Sequence, residues 1–211
     1  EAIMAEQDYG AMLDMFKLQA RRRGMVNRVV SLPMHPKSDE EIVQLYEQAI
    51  TPRTRLLMVC HMVNITGQIL PVARICAMAH SHDVPVMVDG AHAFAQLQFA
   101  IPDLKCDYYG SSLHKWLGTP LGAGLLYVRR DRIAPLWPIF SDMSVADDDI
   151  AKLNHTGTHP VHTDLTITDA IAFHQMIGIE RKEARLRYVQ RYWTDKVRGK
   201  PELFADHYSQ A

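Results

Sequence analysis

Cysteine is scarce in this chain of 211 residues, and the three present, Cys60, Cys76 and Cys106, stand far apart in apolar surroundings. An odd, low count without motif spacing excludes a disulfide framework and leads us to expect reduced, buried thiols in a cytoplasmic protein. Long apolar runs are also missing: none approaches the roughly 18 residues of a membrane span, and no signal-peptide pattern is read at the start. Charge of one sign is not in excess, with 23 Lys and Arg against 24 Asp and Glu and a net charge of -1. No nucleic-acid or membrane partner is therefore expected, and the short run Arg21, Arg22, Arg23 does not change that. No Gly-x-Gly-x-x-Gly or Walker loop follows any predicted strand, which argues against a nucleotide-binding protein. Histidine is plentiful at 11 residues. Yet His80 with His82, and His155, His159 and His162, lack a ligand spacing backed by carboxylate or cysteine, and no metal is expected. What remains, 47% hydrophobic and 22% charged residues, is an ordinary globular composition with enough apolar side chains for one sizeable core.

Periodicity divides that core into alternating elements. Met12, Met15, Phe16 and Ala20 recur at helical spacing before a basic last turn and Gly24. Residues 26–32 read as a strand ended by Pro33. Ser38, Asp39, Glu40 and Glu41 form a capping box ahead of an apolar face of Ile42, Leu45, Tyr46 and Ala49. The continuous apolar run 56–60 is a buried strand. Pro71 opens a helix with Val72, Ile75, Cys76 and Ala79 inside. Residues 84–88, 107–111 and 125–128 read as further strands. Short connections between alternating strands and helices predict a mostly parallel sheet covered by helices on both faces. Residues 135–160 carry prolines, an acidic run and little periodicity, and are expected to form a long surface excursion. From Thr163 helical spacing returns, is interrupted at Gly178, and continues to about Val197.

In such sheets ligands collect beyond the carboxyl ends of the strands. Asn64, Asp89 and residues 112–115 all fall at or just after a predicted strand end. The run Val86-Met87-Val88-Asp89-Gly90-Ala91-His92 and the turn Ser111-Ser112-Leu113-His114-Lys115-Trp116 are the most informative segments. An apolar strand ending in Asp, followed by a Ser-x-His-Lys turn, suits pyridoxal 5'-phosphate (PLP). Lys115 supplies the amine for a Schiff base with the aldehyde, and Asp89 keeps the pyridine nitrogen protonated so that the ring accepts electrons. A protonated ring nitrogen is also the cationic partner a carboxylate at a strand end needs. The plainer alternative for Asp89 is an Asx turn at Asp89-Gly90, which competes for the same carboxylate. His92 and Asn64 are placed to reach the phenolic oxygen, and Ser112 and His114 the phosphate. The sequon Asn64-Ile65-Thr66 is discounted in the absence of a secretory signal.

On these residues the chain resembles the class V aminotransferase family of fold-type I PLP enzymes, most of all its isopenicillin N epimerase-like branch, which is related to cysteine desulfurases. The most specific stretches are residues 61–71, 86–93 and 107–129. The resemblance implies the large domain of a fold-type I PLP-dependent transferase, an α/β architecture shortened at both ends. Residues 1–162 would be the PLP-binding domain without its N-terminal part. Residues 163–211 would be long interdomain helices leading to a small C-terminal domain beyond Ala211. It implies Lys115, Asp89 and His92 as catalytic residues. Asn64, Ser112 and His114 join them in binding the cofactor, and Tyr9 falls where a family aromatic or histidine stacks on the ring. Gly157-Thr158 is similar to a loop whose threonine reaches the phosphate in the partner subunit, which implies a homodimer; a plain loop before a helix is the alternative.

The expected activity is PLP-dependent chemistry on an amino acid or amine: epimerisation, transamination or elimination. A desulfurase also needs a mobile nucleophilic cysteine in a later region, and none of the three present occupies such a place. The contrasting reading is a non-catalytic or truncated scaffold of the same fold.

Overall fold

The computed structural model describes residues 1–140, 144–154, 157–158 and 161–197. Strand β1 (Ala2–Ala5) opens the chain and is followed by helix α1 (Gly10–Arg23) and strand β2 (Asn27–Val30). Next come α2 (Asp39–Ala49), β3 (Leu56–Cys60), α3 (Val72–Ser81) and β4 (Val86–Asp89). A single-turn helix α4 (Ile101–Leu104) leads to β5 (Tyr108–Ser112) and β6 (Gly124–Val128). After irregular chain, α5 (His162–Leu165), α6 (Ile167–Ile177) and α7 (Ile179–Val197) complete the described part.

The helix boundaries follow from capping. Gly24 ends α1 at φ 66°, a left-handed conformation that glycine adopts without penalty, and its N–H reaches Ala20 O. Ser38 caps α2 by accepting from the Glu41 N–H at 3.4 Å, while Glu41 Oε2 accepts from the Lys37 N–H at 2.6 Å. The return bond of the predicted capping box thus lands one residue earlier than the usual pattern. Gly178, at φ 81°, separates α6 from α7 where the periodicity breaks.

The sheet order is β2-β1-β3-β4-β5-β6, parallel throughout except for β6, which pairs antiparallel with β5. Alternation along the central strands feeds two cores. Ile3, Leu57, Val59, Val86 and Val88 meet Ile42, Tyr46, Ile75 and Ala79 of α2 and α3 on one face. Ala2, Met4 and Met58 meet Phe16 of α1 on the other. The predicted mostly parallel sheet between helices is what the chain builds. Periodicity left unannounced the single-turn α4 and also β1, whose four residues are at most 1% exposed.

One buried charge cluster ties the sheet together at the end away from the parallel strands' carboxyl termini. Asp107 is fully buried and accepts from the Val86 N–H (2.7 Å), His80 Nε2 (2.7 Å), Arg132 Nε (2.8 Å) and Arg129 Nη2 (3.0 Å). Burial pushes its carboxyl up, but the hydrogen bonds from His80, Val86 and Arg132 outweigh that and hold it below its usual range. The excursion after β6 contains 3-10 turns at Arg130–Arg132 and Ile150–Leu153. It is less superficial than expected, because Lys152 is buried and its ammonium donates to the carbonyls of Ala134 and Asp147. Among the described residues no helix is long and apolar enough to cross a membrane.

Candidate active site

β1, β3, β4 and β5 run parallel, so their carboxyl ends share one edge of the sheet. Asp8 follows β1, His61 to Asn64 follow β3, Asp89 ends β4, and Ser112 to Lys115 run out of β5. Backbone bonds fix this edge. The His61 N–H donates to Asp89 O at 2.8 Å and the Gly90 N–H to Gly110 O at 2.8 Å. Gly90 has no substitute here, because a Cβ would lie 1.9 Å from Cζ of the buried Tyr109 ring.

Lys115 sits on the turn after β5. Leu113 and Leu117, on either side of it, are buried with Ala95 and Ala123, and Ile167 and Ala170 of α6 pack against this cluster. The Leu113 N–H bonds Ala123 O and the Gly118 N–H bonds Leu113 O, both at 3.1 Å. Anchored leucines on both sides present a half-buried lysine to the sheet edge. Its Nζ lies 3.3 Å from His92 Nε2 and 5.5 Å from the centroid of the Tyr9 ring, over its face. His92 in turn accepts the Trp116 indole N–H on Nδ1 at 3.3 Å. Burial holds its imidazole below the usual range, the Lys115 charge pushes it further down, and the Asp89 charge pulls the other way. Lys115, His92 and Tyr9 therefore converge beyond the end of β4, where the Asp89 charge is felt at His92.

Asp89 is half-buried, and its Oδ1 accepts the Ala91 N–H at 3.0 Å. The Asx turn weighed against a ligand role is thus present, and it uses one carboxylate oxygen. Among the described residues Oδ2 has no hydrogen-bond donor. His114 is half-buried and its Nδ1, which is fully buried, has no partner among the described residues. Ser112 ends β5, half-buried. Two expected residues are not drawn into the cluster: Asn64 is exposed in the turn after β3, and Thr158 is exposed in a bend far along the chain. His155 and His159 of the histidine group lie outside the described residues. Among the described residues no three His, Cys, Asp or Glu are placed to hold a metal.

Three residues at this edge escaped the sequence reading. Asp8 is buried, accepts the Ala5 N–H on Oδ2 at 2.7 Å, and is pushed up to about 7, first by burial and further by the Asp89 charge, against the Ala5 bond. Its signal is an acid three residues after a strand, invisible while β1 is unrecognised. His61 is buried with its ring 4.7 Å from that of Phe99, and burial pushes it down to about 4. Trp116 reads in sequence as an apolar neighbour of Lys115, and the structure makes it a hydrogen-bond donor to His92. The thiols of Cys60, Cys76 and Cys106 are all buried and raised by that burial, Cys106 to about 11, which keeps them protonated.

A mostly parallel α/β sheet with an amine, a carboxylate and an imidazole gathered where its strands end defines the class. The family model for class-V aminotransferases matches residues 1–208, and the chain belongs to that family. The isopenicillin N epimerase of Amycolatopsis lactamdurans is 32% identical over 94% of this chain and 54% of its own. Among solved structures, the cysteine desulfurase CsdA of Escherichia coli superposes with a TM-score of 0.78 at 27% identity, over 92% of this chain and 50% of its own. A cystine C-S lyase solved with its product, cysteine persulfide, gives a TM-score of 0.77 at 25% identity, over 87% of this chain and 52% of its own. The chain spans about half the length of these relatives.

Proposed function

We propose that this chain forms the cofactor-binding part of a PLP-dependent enzyme acting on an amino acid or amine, with Lys115 as the residue that carries PLP. The observation that carries the reading is the contact of Lys115 with His92 at 3.3 Å, just beyond the strand that Asp89 ends. The groups present also suit the cofactor chemically. A free carboxylate oxygen on Asp89 matches a protonated pyridine nitrogen, and the unpartnered buried Nδ1 of His114 matches a ligand oxygen.

When bound, PLP supplies an electron sink for the pair released at the substrate α-carbon. The chain's own residues do the rest. Lys115 would hold the aldehyde of the cofactor and, as a free amine, would accept the substrate α-proton as general base and return it. Asp89 Oδ2 holds the proton on the pyridine nitrogen. His92 would face the phenolic oxygen, Ser112 and His114 would hold the phosphate and Tyr9 would lie against the ring, while Asn64, exposed in the turn after β3, would reach the phenolic oxygen only if that turn moved inward. Residues 1–162 form the cofactor domain, and α6 and α7 belong to the segment that leads to a further domain. Thr158 serves the phosphate of a partner subunit in a homodimer. The exposed apolar side chains of α6, Phe173 and Met176, support the packing of a second surface on that helix. We place the enzyme in the cytoplasm, in keeping with three free thiols.

Family membership supports epimerisation, transamination and elimination alike. A desulfurase would require a nucleophilic cysteine other than the three buried ones. The test uses the full-length protein. Added PLP should give a yellow species, and borohydride should fix the cofactor on the peptide containing Lys115. Lys115→Ala should lose both. A colourless wild-type protein with no reducible adduct overturns the proposal and favours a non-catalytic scaffold.

A further inference from the structure

The partners of His92 constrain each other. An indole N–H only donates, so the His92 Nδ1 that faces Trp116 Nε1 at 3.3 Å must be the bare ring nitrogen. A neutral imidazole carries one proton, which then sits on Nε2. That nitrogen faces Lys115 Nζ at 3.3 Å. A lysine ammonium only donates and would oppose this N–H, donor against donor. A Lys115 nitrogen with a lone pair accepts it.

We infer that Trp116 is a positioning residue that locks His92 in the Nε2–H tautomer, so that the site presents a hydrogen-bond donor to the Lys115 nitrogen. Trp116 is itself held from two sides. Its carbonyl accepts the Lys182 ammonium from α7, and its ring meets that of His92 edge-on, with centroids 6.3 Å apart and planes at 65°. The first residues of α7 dock on the same neighbourhood, where Glu183 accepts the Gln98 N–H at 2.7 Å. A change in the seat of α7 would therefore reach His92 through Trp116. The consequence for Lys115 is that its nitrogen meets an N–H donor, which suits a lone pair that is to attack an aldehyde and opposes an ammonium. That consequence rests on the function proposed above, whereas the tautomer assignment does not.

The experiment is nitrogen NMR of histidine-labelled, full-length protein without cofactor, at a pH where His92 is neutral. The wild type should show His92 as one tautomer, with the proton on Nε2. Trp116→Phe keeps an aromatic ring but has no donor, and should shift the tautomer ratio toward Nδ1–H by roughly five- to tenfold, the worth of one hydrogen bond. Lys115→Met should leave His92 on Nε2–H, because Trp116 sets the tautomer and the lysine does not. An Nδ1–H tautomer in the wild type, an unchanged ratio in Trp116→Phe, or a switch in Lys115→Met would each overturn the inference. Adding PLP to the same samples separates the two questions. Failure to form an adduct would sink the proposed function and leave the tautomer result standing.

Discussion

Replacing Asp107 by Asn tests whether the buried carboxylate is the tie that holds β4, β5 and the turn after β6 together. The carboxylate takes four donors at 2.7 to 3.0 Å with no exposure to water. An Asn side chain keeps one carbonyl oxygen and turns an N–H₂ toward the Val86 N–H or the arginines, which can only donate, with His80 alone able to accept through its other tautomer. Breaking a buried ion pair costs about 3–5 kcal/mol where the remaining charge stays trapped. Here the arginine side chains remain 33% and 35% exposed and can rehydrate, and Arg129 keeps Asp131 as a second partner at 2.6 Å. We therefore expect Asp107→Asn to cost roughly 2–4 kcal/mol near neutral pH. With a urea m-value of about 2 kcal/mol/M, the unfolding midpoint should fall by roughly 1–2 M. The pH dependence has a definite sign. The native carboxyl titrates below its ordinary value of 3.8, so its contribution is complete above about pH 4 and is lost as pH falls through the native value. The gap between wild type and variant should thus be constant from about pH 5 to 7 and close at lower pH. A penalty under about 1 kcal/mol at pH 7, or one that persists unchanged in acid, would refute the reasoning.

Gly90→Ala should destabilise by at least about 1–3 kcal/mol, since its Cβ would lie 1.9 Å from Tyr109 Cζ in a packed core; thermal unfolding measures this, and Gly90→Ala with Tyr109→Leu should recover part of it. His61 stays neutral down to about pH 4 in the native state, whereas the unfolded chain takes up its proton near 6.5, so native stability should fall as pH drops through that window. His61→Leu should flatten the slope, and an unchanged slope in urea titrations would count against the assignment. Asp8 has the opposite sign: the native carboxyl keeps its proton up to about 7 and the unfolded one releases it near 3.8, so stability is lost as pH rises between them. Asp8→Asn should raise stability at pH 8 by roughly 2–4 kcal/mol and leave it unchanged at acid pH, read from the same titrations.

What the sequence disclosed depended on how local the signal was. β3 is a continuous apolar run, and α3 a stripe of Val72, Ile75, Cys76 and Ala79 that the structure buries completely, so both could be read residue by residue. β1 could not. Its Ala-Ile-Met-Ala is short and half alanine, a poor strand former, and it is a strand because β2 and β3 flank it with bonds from both sides. The site divides in the same way. Asp89, His92 and Lys115 lie within two short segments whose order carries the chemistry. The roles of Asp8 and Trp116 depend on what lies across the sheet edge, over separations such as the 24 residues between His92 and Trp116. A hydrogen bond between distant positions leaves no periodicity in the chain. Such bonds decide the proton positions: the sequence can nominate an imidazole beside an amine, but which ring nitrogen faces that amine with a proton is set by an indole three-dimensionally adjacent to both. For the proton transfer proposed at Lys115, the non-local contact, and not the nominated residue alone, would determine whether the amine is opposed by a donor or an acceptor.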